Sequence, residues 1–380
     1  MANTRRPQDT PLTLISGYKG AGKSTVIEHL LKEARSLRLA IITDDGEKDI
    51  FTEIEEASGL HANDAIVVEC AAALEPFFVA EHLIDGDEES PPPEGVRVDT
   101  LVTVVDASTF LKDIESGNDL IERGLAFDEE DDRMVSELLI EQIEFADIVI
   151  LNKTDLVTTD EGDELESLLG RLNPRAKILR TEFGRVPAGD LVSTNSFDIE
   201  ETDDGAGWLA ELSNDFLETE GAFGVSSFTF IDRRPFHPIR FNELLSDFKI
   251  KGLVRAKGYV WVASRHNEIG IWSLAGTASL LTYGGAWFAA TPARAWPQDE
   301  RERMEIMQDW TAPFGDRRQE IAFIGLHMEE EEIRERLEDC LLKPSEMVNG
   351  PEAWYSLPDP LPDWHEDTDP EEFGGNDSLT

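Results

Sequence analysis

The sequence predicts an α/β domain with a mostly parallel sheet, followed by a smaller α+β domain. Three observations predict it. Short runs rich in β-branched residues alternate with helical patterns through the first half of the chain. That alternation stops near Gly224. Between the two regimes lies an acidic, Gly-containing stretch, residues 200–224. Strands alternating with helices build parallel sheets buried on both faces, which is why their strands read as continuous apolar runs.

In order, residues 12–15 form the first apolar run and end at a Gly-rich turn. Val26, Ile27, Leu30, Leu31 and Ala34 then recur at helical spacing over residues 23–34. Further strands are expected at 39–42, 65–68, 101–105 and 148–151, with a helix at 134–145. The acidic insertion 85–94, with Pro91, Pro92 and Pro93, reads as a surface loop. In the second half, strands are expected at 225–231, 259–263, 271–274 and 321–326, and helices at 239–248 and 329–342. From about Ser345 the chain is rich in Pro, Asp and Glu and reads as disordered. The expected organisation is therefore 1–199, an acidic linker at 200–224, a second domain at 225–345 and an acidic tail at 346–380.

Composition narrows the function. The chain has 380 residues, with 79 Asp plus Glu against 34 Lys plus Arg, a formal net charge of −45. Such a surface opposes nucleic acid as the main partner, because binding it requires cationic side chains that neutralise phosphates. It opposes an anionic membrane surface for the same reason. The acid excess runs along the whole chain and suits a salt-rich cytoplasm, where ions screen self-repulsion; an ordinary acidic protein is the alternative. Residues 269–293 carry no charge, but their Gly, Pro, Ser and Thr fit short strands with turns better than a membrane span. The N-terminal residues lack the apolar stretch of a signal peptide, and a cytoplasmic location is expected. Cys70 and Cys340 are the only cysteines. Two cannot build a thiolate-rich zinc site.

The strongest motif is Gly17-Tyr18-Lys19-Gly20-Ala21-Gly22-Lys23-Ser24, which fits G-x-x-x-x-G-K-[ST] between an apolar strand and a helix. Gly17, Gly20 and Gly22 let the backbone wrap a phosphate chain, with Ala21 and Thr25 contributing N–H groups at the helix N-terminus. Lys23 is placed to reach the β- and γ-phosphates, and Ser24 to hold Mg²⁺. A second motif, Asn152-Lys153-Thr154-Asp155, directly follows the run at 148–151. The Asp155 carboxylate can accept both guanine N1–H and N2–H₂, whereas adenine would leave it unpaired. Asn152 is expected to donate to the far edge of the base, and the Lys153 stem to lie over its face. GTP with Mg²⁺ is the expected ligand. Glu69, at the end of 65–68, and Asp106, at the end of 101–105, are alternative carboxylates on the metal side. Asp44 and Asp45, after 39–42, are candidates from a first switch loop.

These residues resemble the CobW-type P-loop GTPases, a family of metal chaperones and metallocentre assembly factors, some linked to cobalamin. Glu69-Cys70-Ala71-Ala72-Ala73-Leu74-Glu75-Pro76 is similar to the family's E-T-x-G-L-x-x-P segment, and Val105-Asp106-Ala107 and residues 141–155 to its central run. Arg234-Pro235-Phe236-His237-Pro238, Arg255-Ala256-Lys257-Gly258 and residues 315–320 resemble its C-terminal module. The resemblance implies a GTPase, with Glu69 as the switch-region acid, Lys23 and Glu69 as catalytic residues, and Ser24, Glu69 and Asp45 around the metal. It also implies a client metalloprotein. The family's C-x-C-C motif is absent, so whether zinc or cobalt is carried stays open, and a cargo-free GTP switch is the alternative. In the second domain Arg233, Arg234, Arg255, Lys257, Arg317 and Arg318 collect in one module, either paired internally or forming a contact face.

Overall fold

The computed structural model describes residues 9–44, 48–58, 63–86, 91–128, 131–199, 219–220 and 222–364. They fall into two compact units, divided near residue 225 apart from a short excursion at 275–278.

The first unit carries strands β1 (Thr10–Ser16), β2 (Leu39–Thr43), β3 (Ala65–Glu69), β4 (Val96–Asp106), β5 (Ile148–Asn152) and β6 (Lys177–Arg180). Its helices are α1 (Lys23–Glu33), α2 (Ile50–Ser58), α3 (Pro76–Asp85), α4 (Phe110–Ile114), α5 (Val135–Glu144) and α6 (Thr159–Leu172). The strands form one sheet in the order β2-β3-β1-β4-β5-β6, and each neighbouring pair is parallel. Side chains from alternate positions build two apolar layers. Ile15, Val67, Val102, Val104 and Ile150 pack with Val26, Ile27 and Leu30 of α1 on one face. Leu12, Leu14, Ile66, Val68 and Leu101 pack with Ile54 and Val79 on the other. Thr158 starts α6 with a reciprocal cap, its Oγ1 accepting from Glu161 N at 3.3 Å while its own N–H donates to the Glu161 carboxylate at 2.8 Å. Because all strands are parallel, every β–α loop leaves the same carboxyl edge, where ligands of such sheets bind.

β6 was not expected. Its four residues, Lys-Ile-Leu-Arg, have charged ends and only partly buried centres, so no apolar run marks them.

The second unit contains β7 (Thr219–Glu220), β8 (Val225–Asp232), β9 (Leu253–Val260), β10 (Glu268–Ala275), β11 (Ala278–Ala286) and β12 (Gln319–Leu326), in the order β11-β10-β9-β12-β8-β7. β9 and β12 pair antiparallel, as do β7 and β8. The helices are α7 (Pro238–Ser246), α8 (Glu300–Gln308), α9 (Glu330–Cys340), α10 (Pro344–Met347) and α11 (Gly350–Trp354). β9 begins six residues before the strand expected at 259–263. Arg255 and Lys257 break its apolar run, yet Arg255 is buried and donates to Ser273 Oγ at 2.7 Å. The uncharged stretch at 269–293 forms most of β10 and β11 rather than a span. Among the described residues no helix is long and apolar enough to cross a membrane.

The expected disordered tail at 346–380 needs correction. Residues up to 364 are folded onto the second unit, with Trp354, Leu361 and Trp364 each at most 6% exposed. Trp364 donates its indole N–H to Glu268 at 2.8 Å, and the Arg265 guanidinium lies 4.2 Å from its ring centre. Three apolar anchors among many acids and prolines were too sparse to register as a pattern. Residues 365–380, and nearly all of the expected linker at 200–224, lie outside the described residues.

Candidate nucleotide site

The site grows from the carboxyl edge of the first sheet. β1 ends at Ser16, and the chain turns through Gly17–Gly22 into α1. Gly17 has φ +135°, and a Cβ there would sit 2.3 Å from the Val104 carbonyl oxygen of the adjacent strand. Gly22 has φ +111°, and a Cβ there would sit 2.3 Å from the Asn152 side-chain nitrogen. Only glycine fits either position. Gly20 also has positive φ, with open space around it. Ala21 is buried and its N–H donates to Tyr18 O at 3.1 Å.

Lys23, the first residue of α1, folds back so that Nζ donates to Gly17 O at 2.5 Å. Burial pushes its pKa below the usual lysine value, while the Glu69 carboxylate opposes that shift. Ser24 Oγ donates to Glu69 Oε1 at 2.6 Å. A hydroxyl and a carboxylate that meet at the mouth of a phosphate loop form the hard-oxygen set that suits Mg²⁺. Thr25 follows on the exposed side. Asp44 N–H donates to Glu69 O at 2.9 Å, and its carboxylate accepts from Ala71 N–H at 3.3 Å. Asp45 lies outside the described residues.

The segment after Glu69 is clamped. Gln142 Nε2 of α5 donates to Ala72 O and Leu74 O at 3.2 and 3.1 Å. Arg133 donates to Ala73 O at 3.3 Å and pairs with Glu75 and Asp131. Cys70 is buried, and that burial pushes its thiol up to about 12. It is a core residue.

The second predicted motif occupies the end of β5 and the turn after it. The structure gives Asn152 a role that the motif alone did not suggest. Its amide, 2% exposed, donates to Ala21 O at 2.8 Å, and its carbonyl oxygen accepts from Gly184 N–H at 3.1 Å. Through that N–H it braces the Gly-rich loop, which runs from the end of β1 past the end of β4 and so brings Ala21 within reach of the last residue of β5. Lys153 takes the left-handed conformation, φ 61°. Its Nζ meets Asp106 Oδ2 at 2.7 Å. Asp106, one of the two candidate metal-side acids, thus faces the second motif, and Glu69 faces Ser24. Burial raises the Asp106 pKa, but the Lys153 and Ser108 hydrogen bonds outweigh it and hold the carboxyl below its ordinary value. Asp155 is exposed, in the turn Thr154–Leu156, with no polar partner among the described residues.

Sequence reasoning missed a third loop, residues 181–185, after β6. Thr154 donates through both N–H and Oγ1 to Thr181 O, at 3.3 and 3.1 Å. Gly184 lies so near α1 that a Cβ would meet Val26 N at 2.8 Å. Its only sequence signal was the Phe-Gly pair after an unrecognised strand.

In the second unit the basic residues are largely paired inside the module. Arg234 bonds Asp232 at 2.7 Å, Arg318 bonds Asp309 at 3.0 Å and also pairs with Glu320, and Arg317 donates to His266 O at 2.8 Å. His237 caps α7 from its N-terminal side, its N–H donating to Cys340 O at 2.8 Å. Among the described residues no group of three or more His, Cys, Asp or Glu side chains is placed to hold a metal ion.

Comparison with known proteins agrees with this layout. Residues 11–56 and 45–180 match the model of the CobW/HypB/UreG nucleotide-binding domain, and residues 225–341 that of the cobalamin synthesis protein cobW C-terminal domain. A zinc-regulated GTPase metalloprotein activator of Dictyostelium discoideum is 29% identical over 92% of this chain and 84% of its own length. A zinc chaperone of Mycobacterium tuberculosis is 30% identical over 81% of this chain and 75% of its own. The zinc chaperone YjiA of Escherichia coli is 24% identical over 85% of this chain and 96% of its own.

Proposed function

The chain belongs to the CobW family of nucleotide-binding proteins, and from that premise we propose that it binds GTP and hydrolyses it with Mg²⁺ in the cytoplasm, in the service of metal delivery or metallocentre assembly for a client protein. One observation carries the nucleotide assignment. The Asn152–Ala21 hydrogen bond joins the loop suited to phosphates and the loop suited to guanine at one sheet edge. A single nucleotide can therefore engage both.

In this reading the glycine-shaped loop and the α1 N-terminus hold the phosphates, and Lys23 neutralises charge that develops at the β- and γ-oxygens. Ser24 and Glu69 would hold Mg²⁺, which supplies further charge neutralisation when bound. Asp155 accepts the two guanine donors. Lys153, steadied by Asp106, lies along the base. The clamped segment from Cys70 to Glu75 is the part positioned to respond to the γ-phosphate.

The names of the zinc-handling relatives support a metal-linked role. The burial of both cysteines, Cys70 and Cys340, favours a second reading, a GTP switch that recruits a client without carrying metal. Competition against a fluorescent GTP analogue in molar salt tests the core of both. GTP and GDP should displace it at far lower concentration than ATP. Equal displacement by ATP would sink the guanine assignment. Asp155→Asn should favour xanthine nucleotides, because an amide can donate to xanthine O2.

A further inference from the structure

We propose that Phe183 is the stacking platform for the nucleotide base, and so sets affinity without setting base identity. The inference rests on the guanine-nucleotide reading above and extends it to a residue that no motif marks.

Position comes first. β5 and β6 are parallel, with Leu151 level with Arg180. The turn carrying Asp155 and the loop carrying Phe183 therefore leave the same edge side by side. Their backbones are tied by the two Thr154–Thr181 hydrogen bonds and by the bond from Gly184 N–H to Asn152 Oδ1. The loop is thus fixed to the base-recognition turn and, through Gly184, to the start of α1.

Conformation is the second argument. Phe183 has φ 55°, a region costly for a bulky side chain. Such a backbone persists only where its surroundings over-determine it, and it concentrates at ligand sites. The anchored neighbours Thr181 and Gly184 supply that constraint. Thr181 is buried and bonds Arg185 O at 2.9 Å, so the chain must bulge at Phe183.

Exposure is the third. The turn holds the ring 59% exposed, and Leu156 on the neighbouring turn is 61% exposed. Two large apolar side chains are thus left in water on adjacent loops, next to a carboxylate with no polar partner among the described residues. A purine, with apolar faces and a polar edge, matches that combination. The Arg185 guanidinium lies 5.5 Å from the Phe183 ring centre, so a base on the open side would extend an existing cation–π stack.

Titration calorimetry of the full chain in molar KCl, with GDP and IDP as probes, tests this. Phe183→Ala keeps the backbone cost and removes the ring, whereas glycine would relieve that cost and confuse the result. Loss of one base–aromatic stack should raise the Kd for GDP roughly tenfold. Phe183→Tyr should stay within about twofold of wild type, and Phe183→Leu should fall between. The GDP-to-IDP ratio, which reads the Asp155 contact with the exocyclic amine, should stay constant across the series. The melting temperature without nucleotide should not fall in the alanine variant. Wild-type affinity in Phe183→Ala, or a changed GDP-to-IDP ratio, would overturn the stacking role while leaving the guanine reading intact. Wild-type protein that binds neither nucleotide would overturn the guanine reading and this inference with it.

Discussion

Asp106 and Lys153 meet at 2.7 Å across the carboxyl ends of β4 and β5, and that pair separates two carboxylates that look equivalent in sequence. Asp106 stands level with Asn152 in the β4–β5 register and pairs with the second motif, whereas Glu69 meets Ser24 of the first. Asp106→Asn should therefore weaken guanine nucleotide binding about fivefold, the value of a half-buried ion pair of roughly 1 kcal/mol. The Mg²⁺ concentration that half-saturates hydrolysis should not move. A shift in that midpoint would assign Asp106 to the metal.

Lys23→Ala should reduce GTP hydrolysis by at least about a hundredfold, since a fixed cation at the transferring phosphoryl group is among the larger catalytic contributions. Phosphate release under single-turnover conditions measures the step. Hydrolysis at the wild-type rate would place the reaction elsewhere.

Asp147 gives a pH signature of folding. Burial pushes its carboxyl up to about 7, against the opposing hydrogen bond from Leu101 N–H and the Arg175 charge, with Asp99 adding to the rise. Between about pH 4 and about 7 the folded chain holds a proton that the unfolded chain has lost. Stability therefore falls as pH rises through that window and stays low above it, by on the order of 4 kcal/mol. Asp147→Asn keeps an acceptor for Leu101 N–H and cannot ionise. Denaturant unfolding should show the variant gaining on wild type across that window and holding its advantage at pH 8. A constant difference from pH 4 to pH 8 would contradict the assignment.

The acidic surface makes a separate prediction about solvent. With a formal net charge of −45, raising KCl from about 0.1 M to about 1 M shortens the screening length from roughly 10 to 3 Å. The melting temperature should rise steeply over that range and should rise less with sucrose, which does not screen. Insensitivity to KCl would remove the salt-adapted reading.

Zinc is a further ligand question. Cys70 and Cys340 are both buried, and their thiols are each pushed up to about 12, so neither is a ready thiolate donor. The protein purified without chelator should carry well under one zinc per chain. Elemental analysis, followed by competition with a zinc dye with and without GTP, decides this. One tightly held zinc that responds to GTP would restore cargo transfer and dismiss the metal-free switch.

Legibility in the sequence followed chemical constraint. The phosphate loop could be read because its turns and close approaches admit few residue types, and β1, β3, β4 and β5 because buried parallel strands are almost wholly apolar. β6 was hidden by its charged ends, and with it the loop holding Phe183. The bracing role of Asn152 was hidden because its partner is a backbone carbonyl 131 residues away, which leaves no trace in residue type. Arg255 and Lys257 obscured β9 because a strand can carry cations when one, like Arg255, finds a buried acceptor.

The packing of Trp354, Leu361 and Trp364 bears on how fragments of this protein must be cut. A recombinant second unit ending at residue 345, where composition invites a boundary, would leave three sockets unfilled. One is the bare backbone of Gly270, which sits so close under the Trp364 ring that a Cβ there would approach it to 2.6 Å. Losing a single buried tryptophan typically costs about 3–5 kcal/mol, a large share of the stability of an ordinary domain. Expression trials, protease mapping and crystallisation of the isolated unit should therefore extend through Trp364. Tags or reporters belong beyond that residue, where they leave the aromatic anchors seated.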